Sequence, residues 1–237
     1  SALIEEFGDE WGNKLMFHHR WFAQVDKAAS SQTLARLSMP RATQDEVAAR
    51  AAIILERMSG RGHFVGSSPA NAPLITAYYF ELVDILEAHL ATRRHLFGGR
   101  PAFADFGLAA QLYEASIDPT CGAGMRARGP HVLDWCHRML EPRDDGPFEG
   151  WDTLEPTLAP LLAYVGSYFL PWTAANAAAL DSGASEFTVE LPGGAYVQPP
   201  QKYHARSLAA LRSRYAYAAQ APGLADILAA ADCLSYL

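Results

Sequence analysis

The sequence predicts a mainly helical protein with one small β-hairpin near its C-terminal end. Three observations carry this reading. Apolar residues recur at three- and four-residue spacing over Leu3–Val25, over Leu74–Arg93 and again after Pro101. A stretch from Leu158 to Leu180 contains no charged residue. Two short alternating runs, Phe187–Leu191 and Ala195–Gln198, flank a Pro-Gly-Gly turn, the pattern of a hairpin.

The elements follow in order. In the first helix, Leu3, Phe7, Trp11, Leu15, His18 and Phe22 make one stripe, and Glu5, Glu6, Asp9 and Glu10 load its early turns, where carboxylates favour the positive helix end. Ser30–Pro40 reads as a short polar connection closed by proline. Thr43-Gln-Asp-Glu46 is a capping box that opens a helix over Val47–Met58. Ser59–Pro73 is a Gly/Ser/Pro-rich loop; it lacks a phosphate-loop pattern and follows a helix rather than a strand. Leu74–Arg93 is the strongest helix, with Leu74, Tyr78, Leu82, Ile85, Leu86 and Leu90 on one broad face.

Arg94–Tyr113 then reads as a helix end, a tight turn and a helix start. Gly98-Gly99 suits a left-handed stop to a helix ending near Leu96. Pro101 suits the first position of the next helix, where an N–H is not needed. Asp105, three residues after Ala102, can reach back to the N–H of that cap residue, so it is the expected structural cap. Phe103, Phe106, Ala110 and Tyr113 continue the helix at helical spacing, and Gly107 admits a second backbone. Asp118-Pro119 ends it. A short helix over His131–Leu140 follows, with Val132, Trp135, Cys136 and Met139 inward. Glu141–Gly150 is charged and Pro/Gly-rich, the best boundary. Beyond the hairpin, Tyr203–Ala219 and Leu224–Leu237 read as closing helices.

The run Leu96–Asp105, LFGGRPAFAD, resembles the centre of the C-terminal, all-helical half of glutathione S-transferases, where a G-x-R-P-S/T-x-A-D turn opens the central buried helix. Pro130, Trp135, Arg138 and Met139 resemble the next part of that pattern, P-x-[VL]-x-x-W-x-x-R-M. The resemblance covers roughly Leu3–Pro142 and departs at Ala102, where the family has a capping Ser or Thr. A missing cap costs about 1 kcal/mol. The tail segments FLPWTAANAAAL and YVQPPQKYHARSL are similar to those of bacterial relatives of these transferases. The expected organisation is a helical bundle over 1–142, a linker over 143–150, and a helical extension with the hairpin over 151–237, packed on the bundle.

The resemblance implies that the first helix lines a substrate cleft. Trp11, Lys14, His18 and Tyr78 are the candidate substrate-binding face, an apolar floor with polar anchors; packing of the same residues into the core is the competing reading. Trp11, Phe17, Tyr78, Tyr79 and Phe106 are further candidates to line an apolar pocket. No β-α-β start is present, so the thioredoxin-like half that binds glutathione and activates its thiol is expected to lie outside this chain. No residue is therefore carried over as catalytic. No cofactor is expected in the chain itself, with glutathione implied only through a thioredoxin-like domain of a fuller protein. Candidate partners are that domain, a second copy of the chain, and a small hydrophobic ligand. The alternatives to a substrate-side transferase domain are a protein-binding or assembly module and a carrier of small hydrophobic ligands on the same fold.

Composition narrows the classes. A formal net charge of −7 opposes binding to nucleic acid or to an anionic membrane surface. Cys121, Cys136 and Cys233 are scattered, with no C-x-x-C, which points to a reducing, cytoplasmic setting. Neither a Ser/His/Asp motif nor a paired-carboxylate signature appears, and the thiol of Cys121 has no adjacent base. His18-His19 raises metal binding, but neighbouring helical side chains diverge by about 100° and no H-E-x-x-H spacing completes a site. Leu158–Leu180 has the length of a membrane span. Its prolines and acidic flanks, Glu155 and Asp181, favour a buried, kinked helix.

Overall fold

α1 (Ala2–Phe7), a π turn (Gly8–Gly12) and α2 (Asn13–Phe22) form one uninterrupted rod in the computed structural model, which describes residues 1–237. Its buried face runs through Ile4, Phe7, Trp11, Leu15 and His18, while Phe22 is largely exposed. The rod crosses the central helix α6 (Phe103–Ser116) so closely that side chains are excluded at the crossing. A Cβ on Gly8 would lie 2.6 Å from the Leu108 amide nitrogen, and one on Gly107 would lie 2.8 Å from the Glu5 carbonyl oxygen.

α3 (Gln24–Ser38) and α4 (Gln44–Ser59) form a helical hairpin with a small core of its own around Ala35, Val47 and Ala51. The capping box opens α4 as expected: the Thr43 N–H donates to Glu46 Oε2 at 2.7 Å. The expectation of a short connection over Ser30–Pro40 is corrected, because Ser30 to Ser38 belong to the fifteen-residue α3 and only Met39 and Pro40 lie beyond it. Its sequence is rich in Ala and Ser and carries no apolar stripe. Polar contacts hold it instead: Asp26 accepts from the N–H and hydroxyl of Thr120, and Ser30 donates to Asp118.

α5 (Ala72–Leu90) buries Ile75, Tyr78, Tyr79, Leu82, Val83 and Leu86, and it ends at Leu90 rather than near Leu96. His89 stops it, since its ring meets the Leu96 carbonyl at 2.9 Å and the Thr157 hydroxyl at 2.8 Å. The chain then turns back through His95 and Gly98, and Gly98 has φ +121°, a value L side chains rarely adopt. Pro101 stands one residue before the cap Ala102 instead of inside α6. α7 (Pro119–Arg128) was not foreseen; Asp118-Pro119 starts it as well as ending the previous segment. α8 (Pro130–Arg138) buries Val132, Trp135 and Cys136.

Phe103 and Phe106, which recur at helical spacing along α6, lie on its outer side, and Phe103 is 72% exposed. The buried face is Ala104, Asp105, Leu108, Ala109, Leu112 and Ala115, since small residues let α1 and α8 pack close. The Asp105 carboxylate is fully buried and accepts three N–H groups, from Leu96 (2.8 Å), Ala102 (2.9 Å) and the Trp135 indole (3.0 Å).

The uncharged stretch forms α9 (Trp151–Tyr164), a second π turn (Val165–Phe169) and α10 (Leu170–Ser182). Pro171 lacks the N–H that the preceding turn would use, and the widened turn accommodates its ring. No helix is long and apolar enough to cross a membrane. Strands β1 (Phe187–Leu191) and β2 (Gly194–Gln198) pair antiparallel, with Phe187 opposite Gln198. α11 (Lys202–Ala218) and α12 (Leu224–Ala230) follow; the last predicted helix breaks at Asp232, whose φ is +54°, into a final 3₁₀ turn (Leu234–Tyr236).

One continuous core of 41 buried residues runs from Ile4 to Cys233 through bundle and extension alike. Residues 145–149 are pinned to 97–99 by backbone bonds, among them the Gly99 N–H to the Pro147 carbonyl at 3.0 Å and the Glu149 N–H to the Phe97 carbonyl at 2.8 Å.

Asp105→Ala would strand three buried donors and is expected to lower unfolding free energy by about 3 kcal/mol or more. Phe103→Ser, on the exposed side of the same helix, should change it by less than about 0.5 kcal/mol. Denaturant midpoints of the two variants check this contrast.

Candidate functional site

Two places in the fold gather chemistry: a sealed lysine–aromatic cluster beneath the β-hairpin, and an open apolar groove between α3 and α6. The cluster collects the residues singled out from the sequence. Trp11, Lys14, His18 and Tyr78 are all at most 2% exposed. Trp11 stands at the centre, with ring centroids 5.4 Å from Trp172, 5.9 Å from Tyr78 and 6.2 Å from Tyr196. Its indole donates to the Tyr164 hydroxyl at 3.2 Å, which donates to the Tyr78 carbonyl at 2.9 Å.

Lys14 lies one turn further along the rod. Its Nζ donates to the Val65 carbonyl at 2.6 Å and to Gln198 Oε1 at 2.5 Å, over the face of Trp172 at 4.4 Å. Burial drives the lysine well below the usual amine range, against the pull of Glu10. Gln198 is fully buried and bonded at both ends of its amide: its carbonyl oxygen also accepts from the Trp172 indole at 3.1 Å, and its NH2 group donates to the Phe64 carbonyl at 3.0 Å. One strand of the extension thus closes over Lys14. Beside it, His204 bonds to the buried Glu10.

His18 bonds to the Ser67 hydroxyl at 2.7 Å and stacks on Phe22 at 4.6 Å. The four predicted face residues therefore come together, but under cover. Neither the groove nor any of four other surface recesses includes any of them. Of the further candidates, Trp11, Tyr78 and Tyr79 lie in the core, Phe17 is half-buried, and Phe106 lines the groove apart from them. The sequence could not show this, because the cover comes from β2, about 180 residues downstream of Lys14.

The groove holds about 480 Å³ and is walled by Leu34 and Leu37 of α3, Ala110 and Ile117 along α6, and Met139 and Leu140 after α8. Its polar floor is closed on itself. Arg20 donates to Asp118 at 2.8 Å and to the carboxylate and carbonyl of Glu114, each at 2.5 Å; Ser30 donates to Asp118 at 2.7 Å. Burial pushes the Asp118 carboxyl up, opposed by Arg20. Cys136 also lines the floor, with its thiol pushed up by burial to about 12, and buried Cys121 is raised likewise to about 12. Such a groove can hold a flat apolar body against a neutralised base. The sequence reading missed Leu34 and Leu37 because it missed α3. Their spacing, as isolated large apolar residues in a small-residue run, was the available signal.

A second apolar recess, of about 380 Å³, lies where Leu3, Trp151, Leu162, Leu211 and Leu228 meet. No group of three or more His, Cys, Asp or Glu residues is placed to hold a metal ion. The rings of His18 and His19 stand edge to face at 5.3 Å.

Burial first, and the nearby His19 and Lys14 second, hold the His18 ring down at about 3, against 6.5 for a free histidine. The unfolded chain therefore takes up this proton first, and stability is lost as pH falls below 6.5. For one such histidine the loss reaches about 2 kcal/mol at pH 5. His18→Gln is expected to shrink the drop in unfolding free energy between pH 7 and pH 5 by about that amount. Denaturant titrations of both proteins at the two pH values check it.

Comparison with known proteins matches residues 41–138 to the glutathione S-transferase C-terminal domain family. The matched span covers α4 to α8, with the Asp105 turn and α6 inside it; it starts well after Leu3, where the sequence resemblance began. No curated protein and no solved structure matches the chain significantly. Residues 41–138 are thus similar to the glutathione S-transferase C-terminal domain family, and the turn held by Asp105 and the buried small-residue face of α6 both lie within that span.

Proposed function

We propose that this chain is the substrate-side half of a glutathione-transferase-like protein, and that its own residues bind an apolar substrate rather than activate a thiol. The observation that carries this reading is the groove between α3 and α6, an open apolar recess in contact with the central helix of the family domain. Leu34, Leu37 and Ile117 would hold the apolar body by burial of its surface. The Arg20–Glu114–Asp118 set fixes α2, α3 and α6 around it without offering a free charge. Glutathione and the group that activates it would come from a thioredoxin-like half. In this reading Trp11, Lys14, His18 and Tyr78 act from behind, as the packed wall that orients the rod carrying Arg20.

A second reading, a docking module without turnover, is favoured by one observation. Leu37, Ile117 and Leu140, which line the groove, are each more than half exposed. The covering surface would then be a thioredoxin-like domain or a second copy of the chain.

An environment-sensitive naphthalene-sulfonate dye is expected to bind saturably with a fluorescence increase. Ile117→Glu should weaken it at least tenfold, while Tyr217→Glu, at a remote and 93% exposed position, should not. Equal affinity in all three proteins would assign the dye elsewhere, including the recess around Leu211, and would contradict the substrate-groove reading. Concentration-dependent self-association lost in Ile117→Glu, without dye binding, would favour the docking reading.

A further inference from the structure

Cations gather in one place in a chain whose formal net charge is −7. Behind the Asp105 turn, a recess of about 360 Å³ is lined by Arg94, His95, His137, Arg138 and Arg143, with the carboxylates of Glu141 and Asp145. Asp145 is already engaged by Arg94 at 2.8 Å. Glu141 is the other carboxylate of the lining, and Asp134 and Asp145 act on Arg138 from nearby, against the burial and the Arg94 charge that lower it. Arg138 leans on the Arg94 carbonyl, at 3.3 Å and 3.4 Å, which brings two like charges together. Burial and the nearby Arg94 both lower the Arg138 guanidinium from its ordinary value. An anion would relieve that repulsion.

His95 gives the independent second observation. It is 1% exposed, it lines the recess, and neither of its ring nitrogens has a hydrogen-bond partner. Asp105 Oδ1 lies 3.8 Å from its Nδ1, beyond hydrogen-bond reach, and that oxygen already accepts from Leu96 and Trp135. A buried imidazole with both nitrogens idle is unusual and calls for a missing partner. The planar forks of arginine suit a two-oxygen acceptor.

We propose that this recess is a binding site for a small oxyanion, a carboxylate or a phosphate-type group, which accepts the ring N–H of His95 and the guanidinium N–H groups of Arg138 and Arg143. The site is separate from the apolar groove and does not rest on the transferase reading.

The test is a titration of the whole chain with sodium acetate and with sodium sulfate, each against sodium chloride at matched ionic strength, read on the histidine ring resonances by NMR. Saturable movement of the His95 signals is expected, with affinity at least tenfold weaker in Arg143→Gln, an exposed position that leaves the fold intact. Arg138→Gln should weaken it likewise, and Arg143→Lys should fall between, since it keeps charge but loses the fork. Preference for acetate would name a carboxylate ligand; preference for sulfate would name a phosphate-type one. Absence of a saturable His95 shift with both anions, or unchanged affinity in Arg143→Gln, would overturn the proposal and leave His95 to a buried water.

Discussion

The Asp105 carboxylate is the constraint on which the rest of the bundle depends. A fully buried carboxylate is costly unless it is hydrogen-bonded. Here no cation touches it. Three N–H groups and the positive end of α6 stabilise it instead. Each donor belongs to a different part of the fold. Leu96 lies in the turn after α5, Ala102 caps α6, and Trp135 sits on α8. One side chain thereby sets the angle of α5 to α6 and brings α8 against both. Ala102 supplies no capping oxygen, so the Asp105 N–H falls back on the Ala102 carbonyl at 2.9 Å. The loss of half the capping box raises the dependence on the half that remains.

The frame set there positions both gathering places of chemistry. With α6 fixed, Gly8 and Gly107 meet and the first rod crosses at one register. That register sends Arg20 to Glu114 and Asp118 beneath the groove, and Trp11 and Lys14 toward the hairpin. The extension then contributes to the structure as an integral layer. Gln198, Tyr196 and Trp172 complete the cluster around Trp11 and Lys14, and the core is continuous across residues 143–150.

Much of this was legible in the sequence, for physical reasons that can be named. The α4 capping box, α5, the Asp105 cap and the hairpin depend on neighbours within a few residues, and local pattern records such contacts. The errors lie where distant partners decide. α3 has no apolar stripe, because Asp26 and Ser30 hold it through hydrogen bonds to the start of α7. Helical spacing alone does not say which face of α6 is buried: the close helix crossing selects Ala, Gly and Leu for it and leaves Phe103 and Phe106 outside. α5 stops six residues early because the ring of His89 bonds onward to Leu96 and Thr157. For the candidate site, helical spacing put Trp11, Lys14, His18 and Tyr78 together, while their closure by β2 and the groove lined by α3 needed the fold.

Amide hydrogen exchange at Leu96 and Ala102 tests the central claim most directly, because their N–H groups end on the Asp105 carboxylate. If that carboxylate ties the turn to the bundle, both amides should exchange only through global unfolding, with the same protection as Leu82 in the middle of α5. Fast exchange at Leu96 and Ala102 while Leu82 stays protected would show that the turn opens on its own, and would contradict it.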